Sequence, residues 1–345
     1  MDSARNISDS GGAPEVSVCI AHYGDPEVLR ACLDSVRQQE CSFDFEILVH
    51  DDASPDDIGA IVSRCPEVRW LRSDTNVGFC VANNRMALGA RGRYLLLLNN
   101  DAELFPDALQ TLADEADRVG EPTILGLPQY DQATGRLEDL GRLCDPFLTP
   151  IHNLDPAVRD VAMVAGACLW IPAKLWRDLG GFPEWFEMIA EDLYLCCQAR
   201  LRGIPVRVAG RSGFRHRIGT TIGGGARRGH LSTTVRRRSL SERNRCYTML
   251  VCYPGPWHLV AFLVHAILLV MEGAVLAVKR ADPRLFTRVY WFALQSVWHA
   301  RERIAAERIE TQARRKVTAA VFFSAFRPTL YKLVLLARHG WPSVR

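Results

Sequence analysis

The chain has 345 residues, 48% hydrophobic and 23% charged, with a formal net charge of +3. That length suits one large domain or two modest ones, and the composition excludes a mostly disordered or low-complexity chain. A net charge this small excludes a basic nucleic-acid wrapper, but the charge is uneven, with ten arginines and only one acid (Glu242) between Arg211 and Arg245. The eleven cysteines are odd in number and form no C-x-x-C pair, which fits buried small residues in a reducing compartment rather than a disulfide scaffold or zinc site. Residues 1–14 are polar and lack an apolar signal core, so they read as a disordered leader of a non-secreted, cytoplasmic protein.

Glu15–Ala21 reads as a first strand, and Glu27–Gln39 as a helix through Val28, Leu29, Cys32, Leu33 and Val36. Phe45–His50 is a second strand, Asp57–Cys65 a short helix and Val68–Leu71 a third strand. Ala82–Ala90 follows as a helix. Tyr94–Leu98 is a continuous apolar run suited to the centre of a sheet covered on both faces. This alternation predicts an α/β layer fold with a mainly parallel sheet. Neither G-x-G-x-x-G nor G-x-x-x-x-G-K-[ST] follows the first strand, so nicotinamide and P-loop chemistry lose their usual support.

Ligands of open α/β sheets bind beyond the carboxyl ends of the strands. Each predicted strand here ends in a polar cluster: His22–Asp25, Asp51-Asp52, Arg72–Asn76 and Asn99–Glu103. Any one cluster also reads as a cap or an Asx-turn. Four together point to one composite site. Asp101, directly after the apolar run, suits a divalent cation beside phosphate. Further on, Glu191-Asp192 opens an amphipathic helix over Leu193–Leu201 and offers either dipole caps or a general base. Phe214-Arg215-His216 follows a short strand at Val206–Ala209, and His216 offers an imidazole ligand. Arg215, Arg217, Arg227 and Arg228, among Gly219, Gly223, Gly224 and Gly225, read as a loop able to close over a diphosphate, or as a basic surface loop. Arg236–Arg238 reads as surface, or as meeting an anionic acceptor.

After Pro254-Gly-Pro256, Trp257–Val278 is apolar except for His258, His265 and Glu272, which with Lys279 recur every seven residues and form one polar stripe. It reads either as a packed helix or as a monotopic helix on a bilayer. Phe286–Val297 and Val317–Leu336 are further amphipathic stretches around the charged Arg301–Lys316. They form an expected C-terminal helical module over 251–345.

The ordered set Val16–Ile20, Val49–Asp56, Ser73–Phe79 with Ala82–Asn84, Leu97–Asp101, Gly166-Ala167, Gly180–Phe182, Glu191–Leu193, His216 with Gly219 and Arg243–Arg245 resembles the inverting glycosyltransferases of family 2. Within them it looks most like bacterial rhamnosyltransferase-like members. The resemblance covers about residues 15–250 and implies a GT-A fold there. It implies a nucleotide-sugar site at His22, Asp51, Arg72, Asp74, Asn76, Asn99 and Asn100, with Arg215 and Arg217 at the diphosphate. Asn99-Asn100-Asp101 stands in place of the family's DXD motif, with asparagine for the first acid. The resemblance further implies Mg²⁺ or Mn²⁺ on Asp101 and His216. Asp192 stands in place of the catalytic base, with Glu191 beside it. The implied reaction moves a sugar, rhamnose from dTDP-rhamnose among the candidates, to a glycan or lipid-linked acceptor of surface polysaccharide or cell wall. UDP-hexose and UDP-N-acetylhexosamine donors are the alternatives, and a non-catalytic basic binding protein is the alternative of another class. Expected partners are the inner membrane leaflet and a second copy through the C-terminal helices, with no nucleic acid.

Overall fold

The computed structural model describes residues 12–217, 224–227 and 230–344. Residues 1–11 of the expected leader, and Gly219, Gly223 and Arg228 of the expected loop, lie outside them. The chain forms two compact units. The first holds residues 12–142, His152–Met188 and Ile204–Arg217. The second holds Leu143–Ile151, Ile189–Gly203 and the described residues from 224 onward.

The first unit alternates β1 (Val16–His22), α1 (Pro26–Arg37), β2 (Phe45–Asp51), α2 (Gly59–Arg64), β3 (Val68–Arg72), α3 (Phe79–Gly89) and β4 (Tyr94–Asn99). Asp25 starts α1 by accepting the Glu27 N–H, and Pro26 takes the first helical position, where its missing N–H costs nothing. Leu29, Cys32, Leu33 and Val36 form its buried face. β2 is buried throughout and β1 and β4 nearly so, which is why they read as apolar runs.

There follow β5 (Ala102–Leu104), α4 (Ala108–Val119), β6 (Ile124–Gly126), β7 (Gln129–Asp131) and β8 (Leu137–Asp139). β9 (Arg142–Cys144) and β10 (Pro150–His152) carry the points where the chain passes between units. β11 (Cys168–Pro172), α5 (Ala173–Leu179), β12 (Val206–Val208) and β13 (Phe214–His216) complete the unit. The main sheet runs β12-β6-β11-β4-β1-β2-β3. β3, β2, β1 and β4 are parallel, and β11 is antiparallel to β4 and β6. The mainly parallel α/β sheet is the expected one. From β1 the chain builds outward through β2 to β3, then returns to lay β4 on the other side of β1. That reversal makes the crevice where α/β sheets bind ligands. At the opposite end of the strands the sheet is tied shut by Glu46, which accepts from Ser17 Oγ (2.7 Å), Arg91 N (2.7 Å) and Arg91 Nε (2.9 Å). Gly92 donates to the same Ser17 hydroxyl, and a Cβ there would lie 2.5 Å from Ser17 N.

A smaller sheet, β5-β13-β7-β8, carries the strand of His216. β13 pairs antiparallel to β5 with His216 opposite Ala102, so the residue before Ala102 becomes its neighbour.

The second unit contains α6 (Glu191–Leu201), β14 (Gly224–Arg227), β15 (His230–Thr233), α7 (Val235–Cys252), α8 (Trp257–Arg280), a π-helical turn (Phe286–Trp291), α9 (Phe292–His299), α10 (Arg301–Ala313), α11 (Ala319–Phe322), α12 (Tyr331–His339) and β16 (Ser343–Val344). Its apolar core includes Cys246, Leu269, Leu276, Leu285, Val289 and Tyr290. The predicted stretch Val317–Leu336 is not one helix. Phe322, Phe323 and Phe326, at the end of α11 and in or just after the 3-10 turn that follows it, pack edge-on against Tyr253, and Pro328, lacking an N–H, lies between α11 and α12.

α7 corrects the surface reading of Arg236–Arg238 at Arg238. Arg236 is exposed, but Arg238 is half-buried and pairs with Glu272. Arg243 and Arg245 are buried outright. α7 is therefore the polar centre of its unit, and the stripe on α8 answers it. His265 is buried against Phe147 (5.6 Å between rings), and Glu272 also meets Lys332 Nζ at 2.8 Å. Of the stripe, His265 and Glu272 face the protein while Lys279 is exposed, and much of the apolar side is exposed too: Leu263 is 60%, Ile267 61% and Val278 81% accessible.

Candidate active site

In the first unit, the ends of β1 and β4 meet. Asn100 Nδ2 donates to His22 Nδ1 at 2.9 Å across the crevice. With Nδ1 accepting, the imidazole carries its proton on Nε2, a buried atom with no partner among the described residues. Burial holds the His22 pKa below its usual value, outweighing the nearby Asp51 charge, so the ring is a neutral donor. Asn99 has a buried Oδ1 that is likewise unpartnered there.

Asp51 pairs in register with His22. Its Oδ1 accepts the Ser54 N–H at 3.0 Å, and its Oδ2 lies 3.5 Å from Arg72 Nε. The Ser54 hydroxyl in turn accepts the Gly24 N–H, joining the loops after β1 and β2. Asp74 and Asn76 are exposed on the loop after β3. What shapes that loop is Asp52, which accepts the N–H groups of Val77 (2.7 Å) and Gly78 (2.9 Å), while Asn76 Nδ2 donates to its carbonyl. Behind it, Ser73 Oγ meets His50 Nε2 at 3.1 Å and accepts from Arg85 Nη1 at 2.7 Å. Sequence reasoning placed Asp52 in the strand-end cluster without a role of its own, and did not find the Ser73–His50–Arg85 chain. The doubled acid after β2 was the available signal for Asp52.

Asp101 is buried at the start of β5, and its Oδ1 lies 3.1 Å from His216 Nε2. This is the pairing expected for a cation. His216 Nδ1 is buried without a partner among the described residues, where no cluster of three or more His, Cys, Asp or Glu could hold a metal. An oxygen and an imidazole nitrogen fit Mg²⁺ or Mn²⁺ only if phosphate oxygens and water complete the shell, as is usual for cations beside nucleotides. Of the two expected diphosphate arginines, Arg215 does not join them. Its guanidinium covers Phe105 at 5.1 Å, and strand alternation puts it on the face opposite His216. Arg217 serves Asp101 through its backbone, donating N–H to the Asp101 carbonyl at 3.1 Å.

Asn84 explains two motifs at once. Its Oδ1 accepts the Phe182 N–H (3.0 Å) and its Nδ2 donates to the Phe182 carbonyl (2.9 Å). Gly181, at φ +68, has no room for a Cβ, which would sit 2.6 Å from Asn84 Oδ1.

In the second unit, α6 begins at Glu191-Asp192, directly after Ile189 and Ala190, both left-handed (φ 69° and 67°). Non-glycine residues there cost about 1–3 kcal/mol each and persist only where the surroundings impose them. The two carboxyls differ. Asp192 is half-buried and accepts the Leu193 N–H at 2.7 Å. Glu191 is buried with Oε2 unpartnered among the described residues. Burial first, and the Asp192 charge second, push its carboxyl up to about 8. It therefore carries a proton at neutral pH while folded. A carboxyl raised on folding binds extra proton in the native state, so its contribution to stability falls as pH rises from 4.5 to about 8. Glu191→Gln should fold and flatten that part of the stability–pH curve, read by denaturant titration; an unchanged slope would mean Glu191 is ionised in the fold.

Comparison with known proteins agrees with this geometry. The model described as glycosyl transferase family 2 matches residues 17–151, and that described as glycosyl transferase family group 2 matches residues 94–298. An N-acetylglucosaminyl-diphospho-decaprenol L-rhamnosyltransferase of Mycobacterium tuberculosis is 26% identical over 181 residues, 43% of this chain and 59% of the relative. The crystal structure of S. aureus TarS 1-349 superposes with a TM-score of 0.56 at 16% identity, covering 93% of this chain and 92% of that one. Mannosyltransferase PcManGT from Pyrobaculum calidifontis, in complex with GDP-Man and Mn²⁺, superposes at 0.50 with 15% identity, covering 84% and 88%. The chain spans only about a third, or less, of the length of the first four curated relatives it matches. The sheet is that of the GT-A fold, and with a family model matching well over half of its residues the chain belongs to the family 2 glycosyltransferases.

Proposed function

We propose that the protein transfers a sugar from a nucleotide-diphosphate donor to a hydroxyl of a glycan or lipid-linked glycan, with inversion, in polysaccharide or cell-wall synthesis. The observation that carries this reading is the Asp101–His216 pair beside the His22–Asn100 crevice at the sheet reversal. Neutral His22 and the buried Asn99 oxygen supply polar groups for the nucleotide, and the loop built on Asp52 encloses it. Asp101 and His216 would hold Mg²⁺ or Mn²⁺, which supplies stabilisation of charge on the departing diphosphate. Asp192 accepts the proton of the acceptor hydroxyl, whose oxygen attacks the anomeric carbon as the bond to diphosphate breaks. The rhamnosyltransferase relative supports dTDP-rhamnose as the first donor to try and a lipid-linked acceptor, and UDP-hexoses and UDP-N-acetylhexosamines complete the panel. The test is nucleoside diphosphate release with that panel, with Mg²⁺ or Mn²⁺ and then with chelator, for the parent and Asp101→Ala. Release from no donor, or release that survives both chelator and Asp101→Ala, would defeat the reading or its metal.

α8 is long and apolar enough to cross a membrane by length and composition. We place it on the bilayer surface instead, since His265 and Glu272 are engaged in its own unit while the outer side is apolar. Lys279, Arg280, Arg284 and Arg288 are exposed at and just after the C-terminal end of α8 and suit the anionic inner leaflet. Burying an aliphatic side chain is worth about 1.5–3 kcal/mol. Replacing Leu263, Ile267 and Met271 by serine should weaken co-sedimentation with phosphatidylglycerol vesicles by at least ~10-fold. A parent that dimerises through this face and ignores vesicles would select a second copy as its occupant.

A further inference from the structure

The left-handed residues before α6 are held from α7. Asn244 is fully buried, and its Nδ2 donates to the Ile189 carbonyl at 2.7 Å. That carbonyl precedes the helix and has no place in its ladder, so its donor comes from outside α6. The amide cannot turn over freely, because Arg243 Nε donates to Asn244 Oδ1 at 2.9 Å and fixes which end faces Ile189. Thr248 Oγ1 donates to the Asn244 carbonyl at 2.8 Å, anchoring the same turn of α7. Ile189 leads through left-handed Ala190 straight into the turn bearing Glu191 and Asp192. The Ala190 carbonyl accepts the Tyr194 N–H at 3.0 Å, so the direction in which α6 starts is set by the backbone that Asn244 grips.

We infer that Asn244 is a positioning residue: it clamps Ile189–Ala190 in the left-handed conformation and so fixes the start of α6 and the Asp192 carboxylate, with Arg243 orienting the clamp. Its bearing on turnover rests on Asp192 being the base; its bearing on structure does not. Alanine is tolerated in a helix, so Asn244→Ala removes the donor without a helix penalty, and Asn244→Asp removes it at nearly constant shape.

The experiment measures amide exchange and kinetics together on the full chain. In Asn244→Ala, exchange at Leu193 and Tyr194 should accelerate at least ~10-fold, while β1 and β4 amides keep their protection. With whichever donor the panel finds active, kcat should fall about 10–100-fold and the donor KM should stay near the parent's. Ala190→Gly, which removes the left-handed penalty, should recover part of both losses in the Asn244→Ala background. Unchanged exchange in a folded Asn244→Ala protein overturns the clamp whatever Asp192 does. If Asn244→Ala melts early, Asn244→Asp carries the same measurements, and failure of both to fold makes Asn244 a general core residue and overturns the inference. Accelerated exchange alongside an active Asp192→Asn protein leaves the clamp standing and removes Asp192 as base.

Discussion

Asp192→Asn should abolish sugar transfer, lowering kcat by ~10²–10⁴-fold, while nucleoside diphosphate binding is retained. Asparagine keeps the side-chain oxygen that accepts the Leu193 N–H, so the first turn of α6 still has its local bond. What it lacks is the capacity to take a proton. The adjacent acid does not replace it. Glu191 is buried and already carries a proton up to about pH 8, which makes it a poor acceptor under working conditions. A buried, protonated carboxyl and a more accessible one beside it are suited to different duties, and the accessible one, Asp192, is the proposed base. Glu191→Gln should therefore cost far less than Asp192→Asn. Nucleotide affinity, read by calorimetry with dTDP and UDP, should not follow the loss of turnover. An Asp192→Asn protein that turns over like the parent would remove the residue from the mechanism. One that loses nucleotide affinity in proportion would make it a binding residue.

β1, β2 and β4 were legible because they are buried on nearly every residue and read as apolar runs, whereas the edge strand β3 is half exposed. The polar ends of β1, β2 and β4 were legible together, since any one of them reads as a cap or turn and several of the acids do serve so, while their convergence on one end of the sheet does not. His216 and Asp101 are 115 residues apart in sequence, and their pairing depends on the register of β13 with β5, which no local pattern encodes. The resemblance to a family supplied that pair; periodicity did not. Asp52 was hidden by its neighbour, because the doubled acid does not reveal which carboxylate turns toward the loop after β3. The rear of the chain misled most. Arginines clustered in sequence look like a surface, and α7 has the composition of an exposed helix. Arg238 and Arg245 are met instead by one acid of α7 itself, Glu242, and one of α8, Glu272, inside the second unit. That withdraws several of the residues on which a basic-surface reading depended. The seven-residue stripe on α8 was visible in the sequence, but its direction was not. A polar stripe normally faces water, and here its middle pair, His265 and Glu272, faces the ions of α7.

Glu242→Ala should produce the largest loss of stability, about 3–5 kcal/mol in denaturant unfolding. The carboxylate is 2% exposed and lies between four basic groups. It pairs with Arg245, meets Lys332 Nζ at 2.8 Å, and lies 3.7 Å from both Arg238 Nη2 and His265 Nε2. Burial alone would raise its pKa. The charges of Arg245, Lys332 and Arg238 overcome that and hold it well below the usual carboxylate range. Removing it leaves Arg245 buried with its partner gone and Arg238 and Lys332 dependent on Glu272 alone, which is the costly way to break a buried ion pair. Lys332→Met should cost less, because Lys332 is partly exposed and two arginines still neutralise Glu242. The pH dependence has a definite sign. A carboxylate depressed on folding contributes stability above its unfolded pKa and loses it as pH falls toward the folded one, so this contribution declines below about 4.5. His265 acts in the same direction from higher pH. Burial, then the Lys332 and Arg245 charges, keep it neutral in the fold, so acidification below 6.5 favours the unfolded chain that can protonate it. The parent should thus lose stability in two stages on acidification. Glu242→Ala should start lower, lack the more acidic stage, and shift the His265 stage, since the carboxylate that favoured its protonation is gone. A Glu242→Ala protein as stable as the parent at neutral pH would mean that the cations of α7 find other partners, and that this cluster does not hold the helices of the second unit together.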